Sequence, residues 1–549
     1  MDIQVETINH LGLVAGIIDE IGIEDIINKT LGIDKREKLT AGQVVKAIIL
    51  NGLGFVSRPL YLFSQFFKDK ATEHLLGEGI EAKHLNDDKI GRVMDELYSY
   101  GLSNLFLIIA LAAQSHYGVS TEFSHLDATS FSLHGKYKPE LIPLSISSSN
   151  NQEESPVSQP KPIQITHGYS RDRRADLKQF ILDLIVSGDG DVPLFIRVAD
   201  GNETDKAAFG QIASYYKSQV NFETMIVSDS ALYTDKNLKL MSGIEWLCRV
   251  PLSIKEARNL VSSISSEQLN VSEIPGYSWV EVKSNYGGVE QRWLVVESEQ
   301  RKASNLEKLE KKIKQEEGAA EKKLVKLFKK EFESEEEARA RVNEFEKKLK
   351  FHQLEQIQVI EIPSAPGKKG NKSQSKKLRV LYQITGSLKP DEKKIEALEK
   401  RAGRFVLATN RLDYSSLTSA GILRKYKEQQ APERGFAFLK DPFFFADSVF
   451  LKSPQRIETM AMLMGLCLLV YSLGQRQLRL KLSEENTGLK NQLGKLTDRP
   501  TLRWIFQTFQ GIHLVFIQGV KQIVNLTDER QLTLSFFPQS CQNYYILSG

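Results

Sequence analysis

Residues 121–127 read TEFSHLD, and residues 223–230 read ETMIVSDS. Each is a short run of apolar, aromatic and β-branched residues that closes on an aspartate, Asp127 or Asp229. Runs of this kind bounded by polar residues predict strands. Outward from them, ATSFSLHG is a further candidate strand, and LKQFILDLIVSGDGDVPLFIRVADGN predicts a strand, a Gly-Asp turn and a strand. Residues 204–219 have helical patterning, TDKNLKLMS is a short helix and IEWLCRVP another strand. Strands followed by alternating helix and strand predict an α/β core around a mixed sheet.

Chemistry narrows by elimination. The chain has no GxxxxGK[ST] phosphate loop, no HExxH and no GxSxG elbow, and its nine His residues show no paired ligand spacing. Cys248, Cys467 and Cys541 form no CxxC pair, which excludes a zinc ribbon or disulfide scaffold and suits a reducing cytosol. Carboxylates are left. Side chains at strand ends converge on a sheet edge, where a ligand can approach. Asp127 and Asp229 brought together there would repel unless a cation lay between them, and Mg²⁺ takes hard oxygen ligands. Asp172, Asp176 and Asp200 compete for the role. Further on, residues 426–440 read YKEQQAPERGFAFLK. Tyr426, Glu433 and Lys440 are spaced by seven, so on a continuous helix they share a face. A carboxylate between a phenol and an ammonium suits a metal ligand with phosphate-positioning neighbours. The plainer alternative is an amphipathic helix with a solvated charged face.

The rest of the 549-residue chain sets the context. Hydrophobic residues are 41% and charged residues 26%, which excludes wholesale disorder, collagen-like repeats and a multi-span membrane protein. A net charge of +4 does not announce a nucleic-acid binder, so that reading rests on local patches. Residues 1–117 hold 11 basic and 16 acidic side chains. They predict helices: one capped by Thr40, one capped by Asp87 and closed by Gly101, and a third through LSNLFLIIALAAQ. Such a bundle is either a helix-turn-helix variant or a packing and dimerisation unit. The N-terminus lacks a signal-peptide pattern. Residues 139–162 predict a Ser- and Pro-rich surface loop. After Pro251 the α/β rhythm stops for about 135 residues. A hairpin turns at Gly287-Gly288, then residues 302–350 predict a charged antiparallel helical hairpin, interrupted at Gly318 and restarted by a Ser334/Glu337 capping box. Pro366–Lys377 is a basic loop. LRVLYQITGSL and RFVLATNRLD return as strands, and a helical pattern begins at Ser416. Residues 459–474 (TMAMLMGLCLLVYSLG) are shorter than the ~20 residues a spanning helix needs and predict a buried core helix.

In this order, Asp127 in HLDATSF, HGYSRDRRADLKQF, Asp229 in VSDSALY, and Tyr426, Glu433 and Lys440 resemble the DDE transposases of bacterial insertion sequences, family four and its relatives, with their Y-x2-R-x3-E-x6-K signature. RPTLRWIFQTFQGI resembles a C-terminal segment of the same group, and the likeness covers roughly residues 120–510. The resemblance implies an RNase H-like core with Asp127, Asp229 and Glu433 holding two Mg²⁺ ions, Mn²⁺ substituting. It implies phosphodiester cleavage and strand transfer on double-stranded DNA, with Tyr426, Gln429, Lys440, Arg171, Arg173, Arg174 and Lys178 on the DNA path. A homodimer in the DNA complex, a cytoplasmic location and no membrane follow. So does a division into residues 1–117 (helical domain), 118–251 (core, first part), 252–388 (insertion), 389–480 (core, second part) and 481–549 (C-terminal segment). Two positions depart from the pattern: Gln429 stands at the signature's arginine, and Pro432 directly precedes Glu433. The rivals are an RNase H-like nuclease without strand transfer and a decayed, non-catalytic DNA-binding relative.

Overall fold

Why the aspartates end where they do becomes visible in a computed structural model of the chain. It describes residues 3–55, 58–135, 137, 161–363, 380–441 and 451–547. The basic loop expected at 366–377, and all but the last two residues of the loop expected at 139–162, lie outside these. The chain forms two compact units. One comprises Met1–Cys248, Tyr286–Val289 and Arg424–Gly549; the other comprises Arg249–Asn285 and Glu290–Leu423.

β1 (Ile3–Thr7) precedes the core strands β2 (Phe123–Leu133), β3 (Lys178–Ser187), β4 (Pro193–Ala199) and β5 (Met225–Ser228) in the first unit, and β6 (Glu245–Val250), which begins in that unit. The core strands lie in the order β4-β3-β2-β5-β6. β4, β3 and β2 are mutually antiparallel, and β2, β5 and β6 are parallel. Third, second, first, fourth, fifth is the order of an RNase H-like core. TEFSHLD and ATSFSLHG, expected as two strands, are one: β2 runs through Asp127 to Leu133 because its antiparallel ladder with β3 continues unbroken. What stops at Asp127 is the parallel ladder with β5, whose last pair is Leu126 with Ser228.

Alternation along β3 sends Leu182, Leu184 and Val186 into a core with Ala431, Phe436 and Leu439 and with the helix Pro454–Glu484. That helix spans 31 residues, longer than the apolar run suggested. Length and composition alone would let it cross a membrane, but 83% of its most apolar 18-residue window is buried in the protein. Gly465 permits close approach: a Cβ there would lie 2.7 Å from Ile196 of β4 and 3.1 Å from Phe106. The helices Asp87–Tyr100 and Leu102–Tyr117 contribute Val93, Met94, Leu97, Leu105 and Ile109 to the same core. Thr40 caps its helix in a full capping box with Gln43. Asn86 caps the next helix instead of Asp87, accepting from Lys89 N at 2.9 Å. Asp87 then sits in the first turn, where its charge complements the helix dipole.

β1 pairs antiparallel with His513–Ile517. Around it, Tyr545 donates to Asn9 O at 2.6 Å and Cys541 Sγ to Leu13 O at 3.3 Å. A Cβ on Gly16 would lie 2.4 Å from the Cys541 backbone.

In the second unit the strands Tyr277–Ser284 and Gln291–Ser298 form the expected hairpin. Arg404–Thr409 pairs with Gln291–Ser298. The helix Glu299–Phe328 runs unbroken through Gly318, since one glycine costs only ~1 kcal/mol. Ser334 caps Glu335–Glu346 through Glu337 N at 3.1 Å. Phe332, Ala338, Val342 and Ile384 pack these helices onto the sheet of Glu331–Phe332, His352–Pro363 and Val380–Pro390.

Candidate active site

Leu126 pairs with Ser228, so Asp127 and Asp229 occupy the next register position on neighbouring parallel strands. Strand spacing of ~4.8 Å then puts the two carboxylates side by side. Asp229 immediately follows β5 and turns the chain, its Oδ1 accepting from Ala231 N at 2.7 Å. Asp127 is held by Ala128 N at 2.8 Å. Burial, reinforced by the negative charge of Asp229, pushes the Asp127 carboxyl up from 3.8 to about 7; Ala128 N–H and Arg171 oppose the rise. Arg171 stands 3.7 Å from Asp127 and pairs with Asp205.

One helix crosses the Asp127 face of the sheet. Asp127 faces Leu184 across the β2–β3 ladder, and a Cβ on Gly435 would lie 3.1 Å from Leu184 Cδ2. His125, two residues before Asp127 on the same face, meets Gln429 at 3.2 Å. Phe131, four residues after Asp127, lies under Lys440 Nζ at 5.3 Å. The helix Gln430–Leu439 therefore runs along β2, with Glu433 between Gln429 and Lys440 on one flank. Glu433 is exposed and makes no hydrogen bond or ion pair among the described residues.

The single face expected through Tyr426, Glu433 and Lys440 does not exist as one helix. The helix Ser419–Lys427 ends before Glu428, and a new one starts at Gln430. Pro432, lacking an N–H, is tolerated in that first turn, and Glu433 follows it. The seven-residue relation holds from Glu433 to Lys440 and is lost to Tyr426.

Other expected residues are engaged within the protein. Lys440 Nζ contacts Asp172 at 3.0 and 2.8 Å. Arg174 forms a two-point pair with Asp176, at 2.9 and 2.8 Å. Lys178 bonds the Tyr137 carbonyl. Arg173 is exposed, adopts a left-handed φ of 59°, and forms no ion pair among the described residues. The Gly-Tyr-Ser segment that presents Arg171 is set by a close backbone approach: a Cβ on Gly168 would lie 2.0 Å from Gly201 O.

Sequence reasoning missed His125 and the Asp205 partner of Arg171. Period-two alternation from Asp127 marks His125 as sharing its face. It also missed Asp183, 1% exposed, whose partner Arg197 lies at 2.8 Å and also pairs with Glu203. Burial raises the Asp183 carboxyl to about 6, against the pull of Arg197.

Among the described residues no group of three or more His, Cys, Asp or Glu side chains is close enough to hold a metal ion. The donor set at Asp127 and Asp229 nonetheless fits one: two adjacent carboxylates carry more negative charge than Arg171 at 3.7 Å offsets. All donors are hard oxygens.

Residues 121–470 match the family described as "Transposase DDE domain", and residues 3–111 match "Domain of unknown function (DUF4277)". No curated protein matches the chain. Among solved structures, the cryo-EM structure of the piggyBac transposase synaptic complex with hairpin DNA is similar over 97% of this chain and 81% of its own, at 9% identity. The TM-score of that likeness is 0.36.

Proposed function

Because the chain belongs to the Transposase DDE domain family, whose function is DNA transposition with divalent metal ions, we propose that Asp127, Asp229 and Glu433 are its catalytic carboxylates. The observation that carries this reading is the register: Asp127 and Asp229 follow the last parallel pair of β2 and β5, and Asp127 is raised by burial and by that neighbour. Asp127 and Asp229 would hold the metal from the sheet, with Glu433, on the helix Gln430–Leu439, as the third ligand. Bound there, two Mg²⁺ ions, or Mn²⁺ in their place, would activate the attacking oxygen and stabilise the leaving oxygen of an in-line phosphodiester displacement. Lys440 and Arg173 lie on the DNA side and bind phosphate, with Tyr426, Arg171, Arg174 and Lys178 around them. Lys440 exchanges Asp172 for a phosphate oxygen when DNA arrives.

The order of motifs supports placement with the insertion-sequence transposases of family four, acting as a homodimer on double-stranded element ends in the bacterial cytoplasm, at the nucleoid. The test is Mg²⁺-dependent cleavage and strand transfer of a duplex made from the DNA flanking the gene. Joined products are expected from the wild type and neither cleavage nor joining from Glu433→Gln. Cleavage without joining would make the protein a nuclease.

A further inference from the structure

We infer that Gln429 is a positioning residue that fixes the helix carrying Glu433 to the strand carrying Asp127, with His125 as its matched partner. The inference rests on the proposed role of Glu433. Gln429 stands where the signature has arginine, and its side-chain amide is committed inward. Its Nε2 donates to Leu126 O at 2.9 Å, and its Oε1 lies 3.2 Å from His125 Nδ1. A carbonyl oxygen can only accept, so the NH₂ must face Leu126 and the amide oxygen must face the ring. His125 therefore carries its proton on Nδ1 and donates it to Gln429. Its Nε2 is buried and, among the described residues, has no hydrogen-bond partner.

Arginine would pair differently here. Its guanidinium offers donors alone. It could bond Leu126 O, but it has no acceptor for the Nδ1–H of the fully buried ring, so His125 would have to move its proton to Nε2, and a charged group would replace the neutral amide between helix and strand. The departure from the signature and the histidine two residues before Asp127 thus form a complementary pair.

The two bonds also sit at the right places to set the spacing of the acids. Leu126 is the residue before Asp127, and Gln429 is one helical turn before Glu433. Gln429 occupies the N-cap position of the helix, yet its side chain makes no cap hydrogen bond there. It reaches to the strand instead. Both ends of its amide are engaged with the strand in this arrangement.

The test compares full-length wild type, Gln429→Met, Gln429→Arg and Glu433→Gln. Affinity for a duplex made from the gene's flanking DNA is measured without Mg²⁺, single-turnover cleavage is measured with Mg²⁺, and ¹⁵N-histidine spectra report the His125 tautomer. Gln429→Met keeps the volume and loses both hydrogen bonds. It is expected to cleave about tenfold more slowly, bind DNA within about twofold of wild type, and lose the fixed Nδ1–H tautomer. Gln429→Arg is expected to show a similar cleavage loss despite restoring the signature. Wild-type cleavage by either Gln429 variant would overturn the inference. A loss of DNA affinity matching the loss of rate would overturn it too, by making Gln429 a DNA contact. Normal cleavage by Glu433→Gln would remove the reading beneath it. Loss there with normal Gln429→Met would remove the clamp alone.

Discussion

Replacing Asp127 by Asn should stabilise the metal-free protein while it abolishes cleavage, and the stabilisation should grow with pH. The folded-state carboxyl titrates at about 7 against an ordinary 3.8, so between those values the native state binds more protons than the unfolded state. Stability then falls as pH rises through that window. Three units at 1.36 kcal/mol each bound the full cost at about 4 kcal/mol. Asn keeps the acceptor for Ala128 N–H, and the opposing pull of Arg171 is already contained in the value of about 7. The net gain at pH 8 is therefore about 4 kcal/mol. Between pH 5.5 and 8 the difference between variant and wild type should widen by about 2 kcal/mol, because every other group titrates alike in both and cancels. Urea denaturation in EDTA at the two pH values measures it. A difference that stays constant or shrinks as pH rises would show that Asp127 carries no strain from its surroundings, and the electrostatic argument for a metal at this position would fall with it.

Adding Mg²⁺ at pH 8 should recover stability in the wild type and leave Asp127→Asn unmoved, as thermal melts with and without the ion will show. Glu433→Gln should reduce cleavage by orders of magnitude with little change in DNA affinity, whereas Glu428→Gln, which loses only a 3.2 Å pair with Lys425, should cleave normally; the reverse pattern would identify the wrong acid. Lys440→Ala should weaken DNA binding and lower the salt-dependence slope by about one, with little effect on folding, because its Asp172 pair is solvent-exposed. Arg197→Ala should cost about 3–5 kcal/mol at pH 8, since it strands the buried Asp183, and less at pH 5, where that carboxyl is protonated. Gly168→Ala should lower both stability and cleavage, since its Cβ has no room 2.0 Å from Gly201 O; a melting temperature equal to wild type would contradict the packing.

The RNase H-like core was legible because its strands are apolar runs bounded by polar and turn residues. What the local pattern could not give was pairing. TEFSHLD and ATSFSLHG look like two strands, since polar Asp127 separates them; the β3 partner makes them one. The helical face through Tyr426 was misleading for a related reason: spacing by seven means a shared face only where the backbone is continuous, and it breaks after Lys427. Gln429 showed itself in the sequence only as a missing charge. Its use depends on His125, more than 300 positions away along the chain, and no window of sequence holds both. The capping residues were the most local features: Thr40 and Ser334 cap as expected, the Ser334/Glu337 box forms only its Ser334 half, and Asn86 takes the place of Asp87 by a single position.

The pairing of β1 with His513–Ile517 also bears on how the protein is made. Thr7 and His513 are 506 positions apart. At ~5–20 residues per second, a ribosome needs on the order of 25–100 s between the two. During that time the helix beginning at Leu11 is already outside the tunnel, while the residues that cover Leu13 and Gly16, Tyr545 and Cys541, are not yet synthesised. A message interrupted before Cys541 would therefore yield a chain in which the helix beginning at Leu11 lacks this cover, with apolar surface for chaperones and proteases to find. The helix beginning at Leu11 reaches its native packing only in a chain translated through Cys541 and Tyr545.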